Sequence, residues 1–100
     1  MKLWVDDLRP VPEGYVWAKS VDQAKRMIYQ AEAAGKPFTL IDLDHDAGDY
    51  AREGGDYIRL LDWLEFTHRD YPIAIHTMNP VGRGNMLAII RKNSWKLVGR

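Results

Sequence analysis

The sequence contains no cysteine, which excludes a disulfide framework and thiolate chemistry. It also lacks an excess of either charge, because 14 Lys and Arg residues balance 14 Asp and Glu residues. No overall electrostatic field therefore draws the protein toward nucleic acid or an anionic membrane. Any anion that binds must be held by a local group of residues.

Long apolar runs are missing as well. The apolar stretches fall far short of the roughly 18 consecutive residues that a membrane-spanning helix needs. The N-terminus reaches Asp6 and Asp7 before the apolar region of a signal peptide can form. We therefore expect no membrane contact and a cytoplasmic location, while the sequence indicates no oligomeric state.

The 100 residues, of which 46% are hydrophobic, suffice for one core and are too few for two. No repeat, linker or low-complexity segment interrupts them. We therefore predict a single domain over residues 1–100.

Short apolar strands alternate with amphipathic helices along the chain. The predicted strands are residues 3–5, 15–18, 38–43 and 73–75, with residues 95–98 as a candidate last strand. The predicted helices start at Ser20, at Gly54 or Gly55, and at Pro80, and the second of them runs to about Asp70. This alternation predicts an α/β fold of three layers, in which helices cover both faces of a mostly parallel sheet.

Polar residues follow three of the predicted strands. Asp6 and Asp7 follow the first, residues 44–46 (DHD) follow the third, and residues 76–79 (HTMN) follow the fourth. In open parallel sheets, the loops at the carboxyl ends of the strands line the ligand-binding crevice. If these three strands are neighbours, their polar residues meet in one pocket.

Carboxylates that are brought together repel one another unless a cation or protons compensate their charge. Hard oxygen ligands suit Mg²⁺, Mn²⁺ or Ca²⁺ better than a soft metal. The candidate ligands of a divalent cation, Mg²⁺ or Mn²⁺, are Asp6, Asp7, Asp44 and Asp46. Each of these acids taken alone could equally cap a helix or solvate a turn.

Two histidines end different strands and can face a common ligand. His45 and His76 are therefore the candidate acid and base, with Asp44 beside them, because imidazole titrates near neutral pH. His68 falls late in a helix, and we interpret it as structural.

The helix that starts at Pro80 offers free backbone N–H groups to an anion. Arg83 adds a fixed fork of donors near that helix start. Asn79 can cap the helix, and Thr77 either holds a phosphoryl oxygen or satisfies a strand end. Arg9 is either a further phosphate ligand or a surface arginine beside two aspartates.

Three motifs, residues 4–10 (WVDDLRP), 43–48 (LDHDAG) and 76–86 (HTMNPVGRGNM), resemble those of the cyclic-phosphate processing receiver-like family. Their order and spacing also agree, and the resemblance spans nearly the whole chain. It implies a receiver-like (flavodoxin-like) fold in which Asp6 and Asp7 match the acidic metal-binding pair. Asp44 would match the acid that ends the central strand, and Thr77 the receiver hydroxyl.

The resemblance also implies an activity, the processing of cyclic phosphates on nucleotides or on the 2′,3′-cyclic ends of cleaved RNA. The sequence departs from an ordinary receiver in three ways. A proline-rich loop and a strand replace the first helix, no final helix follows residues 95–98, and Lys96 precedes the strand end where a receiver carries its lysine. Arg83 is therefore the candidate to supply the missing positive charge.

Three functions are consistent with these residues. The first is a metal-assisted phosphoesterase with Arg83, Thr77 and Asn79 stabilising phosphoryl charge. The second is a non-catalytic module that binds a metal or phosphate and contacts a partner protein. The third is a phosphoaspartate switch on Asp44, which the position of Lys96 disfavours.

Overall fold

Four parallel strands form a single sheet in the computed structural model, which describes residues 1–99. The strands are β1 (Lys2–Val5), β2 (Tyr15–Ala18), β3 (Leu40–Leu43) and β4 (Ile73–Ile75). Their order across the sheet is β2-β1-β3-β4, and every neighbouring pair is parallel. The predicted parallel α/β sheet is therefore confirmed.

The predicted strand limits needed two corrections. β3 begins at Leu40 and not at Phe38, because its partner β1 begins at Lys2, which pairs with Leu40. Residues 95–98 form no strand and contribute one parallel bridge, between Leu97 and Ile73. The last helix of the described residues, Pro80–Lys92, precedes this bridge.

The helices are α1 (Val21–Ala33), α2 (Ile58–Phe66) and α3 (Pro80–Lys92), with a short 3-10 helix at Gly48–Arg52. α2 is shorter than predicted, because Gly54 and Gly55 have φ angles of 111° and 93° and His68 has a φ of 56°. The side chains of Ser20 and Asn79 cap α1 and α3, as their positions predicted. None of the helices in residues 1–99 is long and apolar enough to cross a membrane.

All three helices pack on one face of the sheet. Their buried side chains join one core cluster with alternate strand residues, namely Leu3, Val5, Ile41, Leu43, Ile73 and Ile75. The chain moves in the same direction across the sheet from β2 to β3 and from β3 to β4. Because parallel crossovers are right-handed, these connections place their helices on the same side.

The opposite face has no helix within residues 1–99, which differs from the three layers expected. The physical reason is the connection from β1 to β2, which runs in the other direction and is the proline-rich loop. Aromatic rings cover this face instead. Trp4, in register with Trp17 and Asp42, is 5% exposed and packs against Tyr15 and His76.

Candidate functional site

The strands β1, β3 and β4 are adjacent, and their carboxyl ends converge as predicted. The backbone N–H of Asp44 donates to the carbonyl of Val5 at 3.0 Å, and that of His76 donates to the carbonyl of Leu43 at 3.1 Å. The sheet therefore brings the acids that follow β1 and β3 together with the histidine that follows β4.

Asp6, Asp7 and Asp44 form an acidic cluster, in which one carboxylate oxygen of each lies within 4.8 Å of the others. Asp6 is buried, and its Oδ1 accepts hydrogen bonds from the backbone N–H groups of Leu8 at 2.9 Å and Arg9 at 3.0 Å. Burial alone would raise the pKa of Asp6. These two backbone bonds, together with the contact to His76, outweigh burial and lower it.

The pKa of Asp7 shifts in the opposite direction to that of Asp6. Burial and the negative charges of Asp6, Asp44 and Asp49 raise its pKa above the ordinary value. A Cβ on Gly48 would lie 2.5 Å from Oδ2 of Asp7, so the chain passes closely over this carboxylate. Three crowded hard oxygen donors fit a divalent cation such as Mg²⁺ or Mn²⁺.

Asp46 does not belong to the acidic cluster, although it was predicted as a ligand beside the other three acids. It lies instead with His45 and Asp56, whose ligand atoms are within 4.8 Å of its own. Asp56 accepts a hydrogen bond from the backbone N–H of Ala47 at 2.9 Å. Asp56 was not predicted as a site residue, because the turn at Gly54 and Gly55 that returns the chain to this loop depends on positive φ angles.

One ring nitrogen of His45 is hydrogen-bonded to a neighbouring carboxylate, and the other has no partner in residues 1–99. Its Nδ1 lies 2.8 Å from Oδ1 of Asp46, whereas Nε2 has no hydrogen-bond partner in residues 1–99. The side chain is 14% exposed and lies against the first turn of α3. A Cβ on Gly82 would lie 2.5 Å from Cγ of His45, so only glycine leaves room for this ring.

His76 differs from His45, because both of its ring nitrogens contact buried carboxylates. Nδ1 lies 2.7 Å from Oδ1 of Asp42, and Nε2 lies 2.7 Å from Oδ2 of Asp6. The ring stacks on Trp4 with the centroids 3.8 Å apart and the planes 1° from parallel, and its side chain is 5% exposed. Asp42 was not predicted as a site residue, although an acid within an apolar run was a visible signal.

The start of α3 offers fewer free amides than predicted. Pro80 has no N–H, and Asn79 accepts from Gly82 through its side chain at 2.9 Å and from Arg83 through its carbonyl at 2.9 Å. The Oγ1 of Thr77 accepts from the backbone N–H of Asn79 at 3.1 Å, which leaves the hydroxyl hydrogen available. An anion here would meet Thr77 and few backbone amides.

Both predicted arginines reach the end of β4. Arg9 donates through Nη1 to the carbonyl of His76, and Arg83 donates through Nη1 to the carbonyl of Ile75 at 3.1 Å. The carbonyl of Lys96 accepts from the N–H of Ile73, the first residue of β4. Lys96 therefore lies at the amino ends of the strands, whereas the acidic cluster lies at their carboxyl ends, as its position in the sequence indicated.

A comparison with protein families identifies the chain. The model of the cyclic-phosphate processing receiver domain matches residues 1–92. The chain belongs to this family. No curated protein and no solved structure matches it significantly. The family name associates these domains with the processing of cyclic phosphates, and the motifs that resembled the family contain the residues of the acidic cluster, His45 and His76.

Proposed function

We propose that this receiver-like domain hydrolyses cyclic phosphates with the help of a divalent cation. The observation that carries the proposal is the ring of His45, which follows Asp44 of the acidic cluster directly in the chain. Asp46 holds Nδ1 of this ring, while Nε2 has no partner in residues 1–99. A carboxylate on one imidazole nitrogen orients the ring and leaves the other nitrogen for proton transfer.

The reaction is the opening of a cyclic phosphodiester by water. The oxygen of water forms a bond to phosphorus and releases a proton to the solvent, the ring P–O bond breaks, and the leaving oxygen takes up a proton. His45 gives that proton from Nε2, the ring nitrogen that has no partner in residues 1–99, and regains one from the solvent. The product is a phosphomonoester with a neighbouring hydroxyl.

Asp6, Asp7 and Asp44 would hold the cation, Mg²⁺ or Mn²⁺. When bound, it would stabilise charge on the phosphoryl oxygens and ease the loss of a proton from the attacking water. Burial and the neighbouring carboxylates raise the pKa of Asp7, which supports this assignment because a cation would stabilise the ionised form.

Thr77 and Arg83 would contact the phosphate, with Arg9 and Asn79 beside them. The hydroxyl hydrogen of Thr77 is available to donate. Each guanidinium has five N–H groups, so the bonds of Arg9 and Arg83 to carbonyls leave further donors for the phosphoryl oxygens. These donors would stabilise the charge that develops as the ring opens.

An exposed apolar rim supports a nucleotide or RNA end as the substrate. Leu8, Met78 and Val81 are 81%, 84% and 73% exposed, and they lie in the segments that follow β1 and β4. A base and a ribose would cover apolar surface that is otherwise in contact with water. An inorganic phosphate would leave this rim uncovered.

The direct test is a panel of nucleoside 2′,3′-cyclic phosphates and cyclic-ended RNA, incubated with Mg²⁺ or Mn²⁺ and followed by ³¹P NMR. We expect conversion to phosphomonoesters that EDTA abolishes. The matched control is Asp44→Asn, which keeps the size of the side chain and removes its charge. A wild-type protein that converts none of these substrates with either cation would exclude the phosphoesterase.

The alternative is a non-catalytic receiver-like module that binds a metal or phosphate. One observation favours it, namely that both ring nitrogens of His76 contact carboxylates, so that of the two site histidines only His45 keeps a ring nitrogen without a partner in residues 1–99. Binding of the cation without turnover in the same panel would support this module. Nothing supports a phosphoaspartate switch on Asp44, because Lys96 lies at the amino ends of the strands and Asp44 at their carboxyl ends.

A further inference from the structure

Asp42 has no part in the roles assigned so far, yet it is a carboxylate buried within the sheet. It is 1% exposed, and its three neighbours in β3 are Leu40, Ile41 and Leu43. Burying a carboxylate is costly unless it is paired and hydrogen-bonded. Replacing it with an apolar residue would have removed that cost, so its position requires an explanation.

The partner of Asp42 is His76, whose ring is fixed in two different ways. Stacking on Trp4 at 3.8 Å, with the planes 1° apart, fixes the plane of the imidazole. Stacking does not select between the two orientations that a 180° flip of the ring about χ2 interconverts, because both lie in the same plane. The two contacts of 2.7 Å, from Nδ1 to Asp42 and from Nε2 to Asp6, select one of them.

We propose that Asp42 is a positioning residue for the cation site. It accepts a hydrogen bond from Nδ1 of His76 and thereby aims Nε2 at Oδ2 of Asp6. This inference rests on the proposed binding of a cation by Asp6, Asp7 and Asp44. In this role Asp42 touches neither the cation nor the substrate, and it acts through His76.

The carboxylate of Asp6 is the group whose orientation depends on this chain of contacts. Its Oδ1 is held by the backbone N–H groups of Leu8 and Arg9, and its Oδ2 by His76. Without the carboxylate of Asp42, the ring of His76 is free to flip about χ2 on Trp4, and Oδ2 of Asp6 loses its fixed donor. Groups that orient a metal ligand in this way typically contribute about 10- to 100-fold to metal affinity.

The experiment compares Asp42→Asn and Asp42→Leu with the wild type. Asparagine can still accept from Nδ1 through its amide oxygen, whereas leucine cannot. Asp62→Asn is the control, because Asp62 is exposed on α2 and remote from the strand. Two quantities are measured: the ring N–H signals of His76 by ¹⁵N NMR without metal, and Mn²⁺ affinity by calorimetry.

We expect Asp42→Leu to abolish the protected Nδ1–H signal of His76 and to weaken Mn²⁺ binding about tenfold. Asp42→Asn should keep the signal and most of the affinity, and Asp62→Asn should equal the wild type. A purely structural role predicts lower stability with unchanged signals and affinity, and that result would overturn the inference. If Asp42→Leu does not fold, loss of the signal in a folded Asp42→Asn would also overturn it.

The two proposals can fail separately. A wild type that binds no Mn²⁺ would remove the cation from the proposed function, and the inference would fail with it. A wild type that binds Mn²⁺ without hydrolysing cyclic phosphates would exclude the phosphoesterase and leave the role of Asp42 intact.

Discussion

At the scale of single residues, the two site histidines have different environments and should respond differently to substitution. His45→Ala removes the free Nε2, and we expect hydrolysis of a 2′,3′-cyclic phosphate to fall about 10²- to 10⁴-fold. Initial rates at saturating Mn²⁺ measure this loss. His68→Asn is the control, because His68 is exposed at a φ of 56°, where asparagine is well tolerated.

His76→Ala should also lower the rate, but by a different route. Its ring orients Asp6, so we expect part of the loss to be recovered as the Mn²⁺ concentration is raised, which would not occur for His45→Ala. Equal rates for His45→Ala and the wild type would contradict the acid role of His45. A loss in His76→Ala that is independent of Mn²⁺ would contradict the positioning role of His76.

Asp7 should make the metal-free protein less stable as the pH rises. Because its pKa is raised on folding, ionisation disfavours the folded state, and stability is lost between its ordinary pKa and the raised one. Asp7→Asn removes this loss. We therefore expect the variant to melt a few degrees above the wild type at pH 7 in EDTA, and the two melting temperatures to converge in acid.

Mg²⁺ should reverse the order of these two proteins at pH 7, since it would stabilise only the wild type. Asp6 changes stability in the opposite direction, because its pKa is lowered and stability is lost as the pH falls through that pKa. Asp6 is present in both proteins, so this effect does not alter the comparison. A lower melting temperature for Asp7→Asn in EDTA at pH 7 would contradict the repulsion inferred here.

At the scale of secondary structure elements, two glycines in α3 form a matched pair. A Cβ on Gly84 meets nothing within 4 Å, so Gly84→Ala should stabilise the protein by about 0.5–1 kcal/mol. A Cβ on Gly82 would lie 2.5 Å from His45, and Gly82→Ala must displace that ring. We expect Gly82→Ala to lose the stability gain and most of the activity, as measured by thermal unfolding and initial rates.

Gly84→Ala should keep the activity of the wild type. If both variants gain stability equally and both remain active, the close packing of His45 on α3 is not needed for function.

Most of the elements could be predicted from the sequence. Short β-rich runs and apolar stripes gave four strands and three helices, and side-chain caps at Ser20 and Asn79 fixed two helix starts. The ends of β3 and α2 were misplaced, since they depend on where a partner strand begins and on positive φ angles. The single helical face follows from strand order, which local patterns do not contain.

The site was predictable wherever a residue follows a strand directly. Asp6, Asp7, Asp44 and His76 lie there, and three adjacent strands bring them together. The burial of His76 between two carboxylates was not predictable, because it depends on pairing of Asp42 across the sheet. The grouping of Asp46 with Asp56 likewise depends on a turn that local patterns do not determine.

At the scale of the whole molecule, the acidic cluster should couple cation binding to unfolding. At a cation concentration about 100 times the Kd, binding stabilises the folded state by about 2.7 kcal/mol, which corresponds to roughly 10–20 °C in a domain of this size. Thermal unfolding with and without Mg²⁺ or Mn²⁺ measures this shift. Asp44→Asn should remove most of it, and an unchanged shift in that variant would argue against the cluster as the binding site.

The hydrogen bond from Arg83 to the carbonyl of Ile75 also covers part of the outer side of β4, the edge strand of the sheet. Within residues 1–99 no full strand pairs with the outer side of β4. On that side, the segment around Leu97 pairs with Ile73, and the guanidinium of Arg83 donates to the carbonyl of Ile75. Unpaired edge carbonyls are templates for pairing with another chain. Arg83→Ala should therefore self-associate in sedimentation experiments at high concentration, so loss of activity in that variant has to be measured on the monomer.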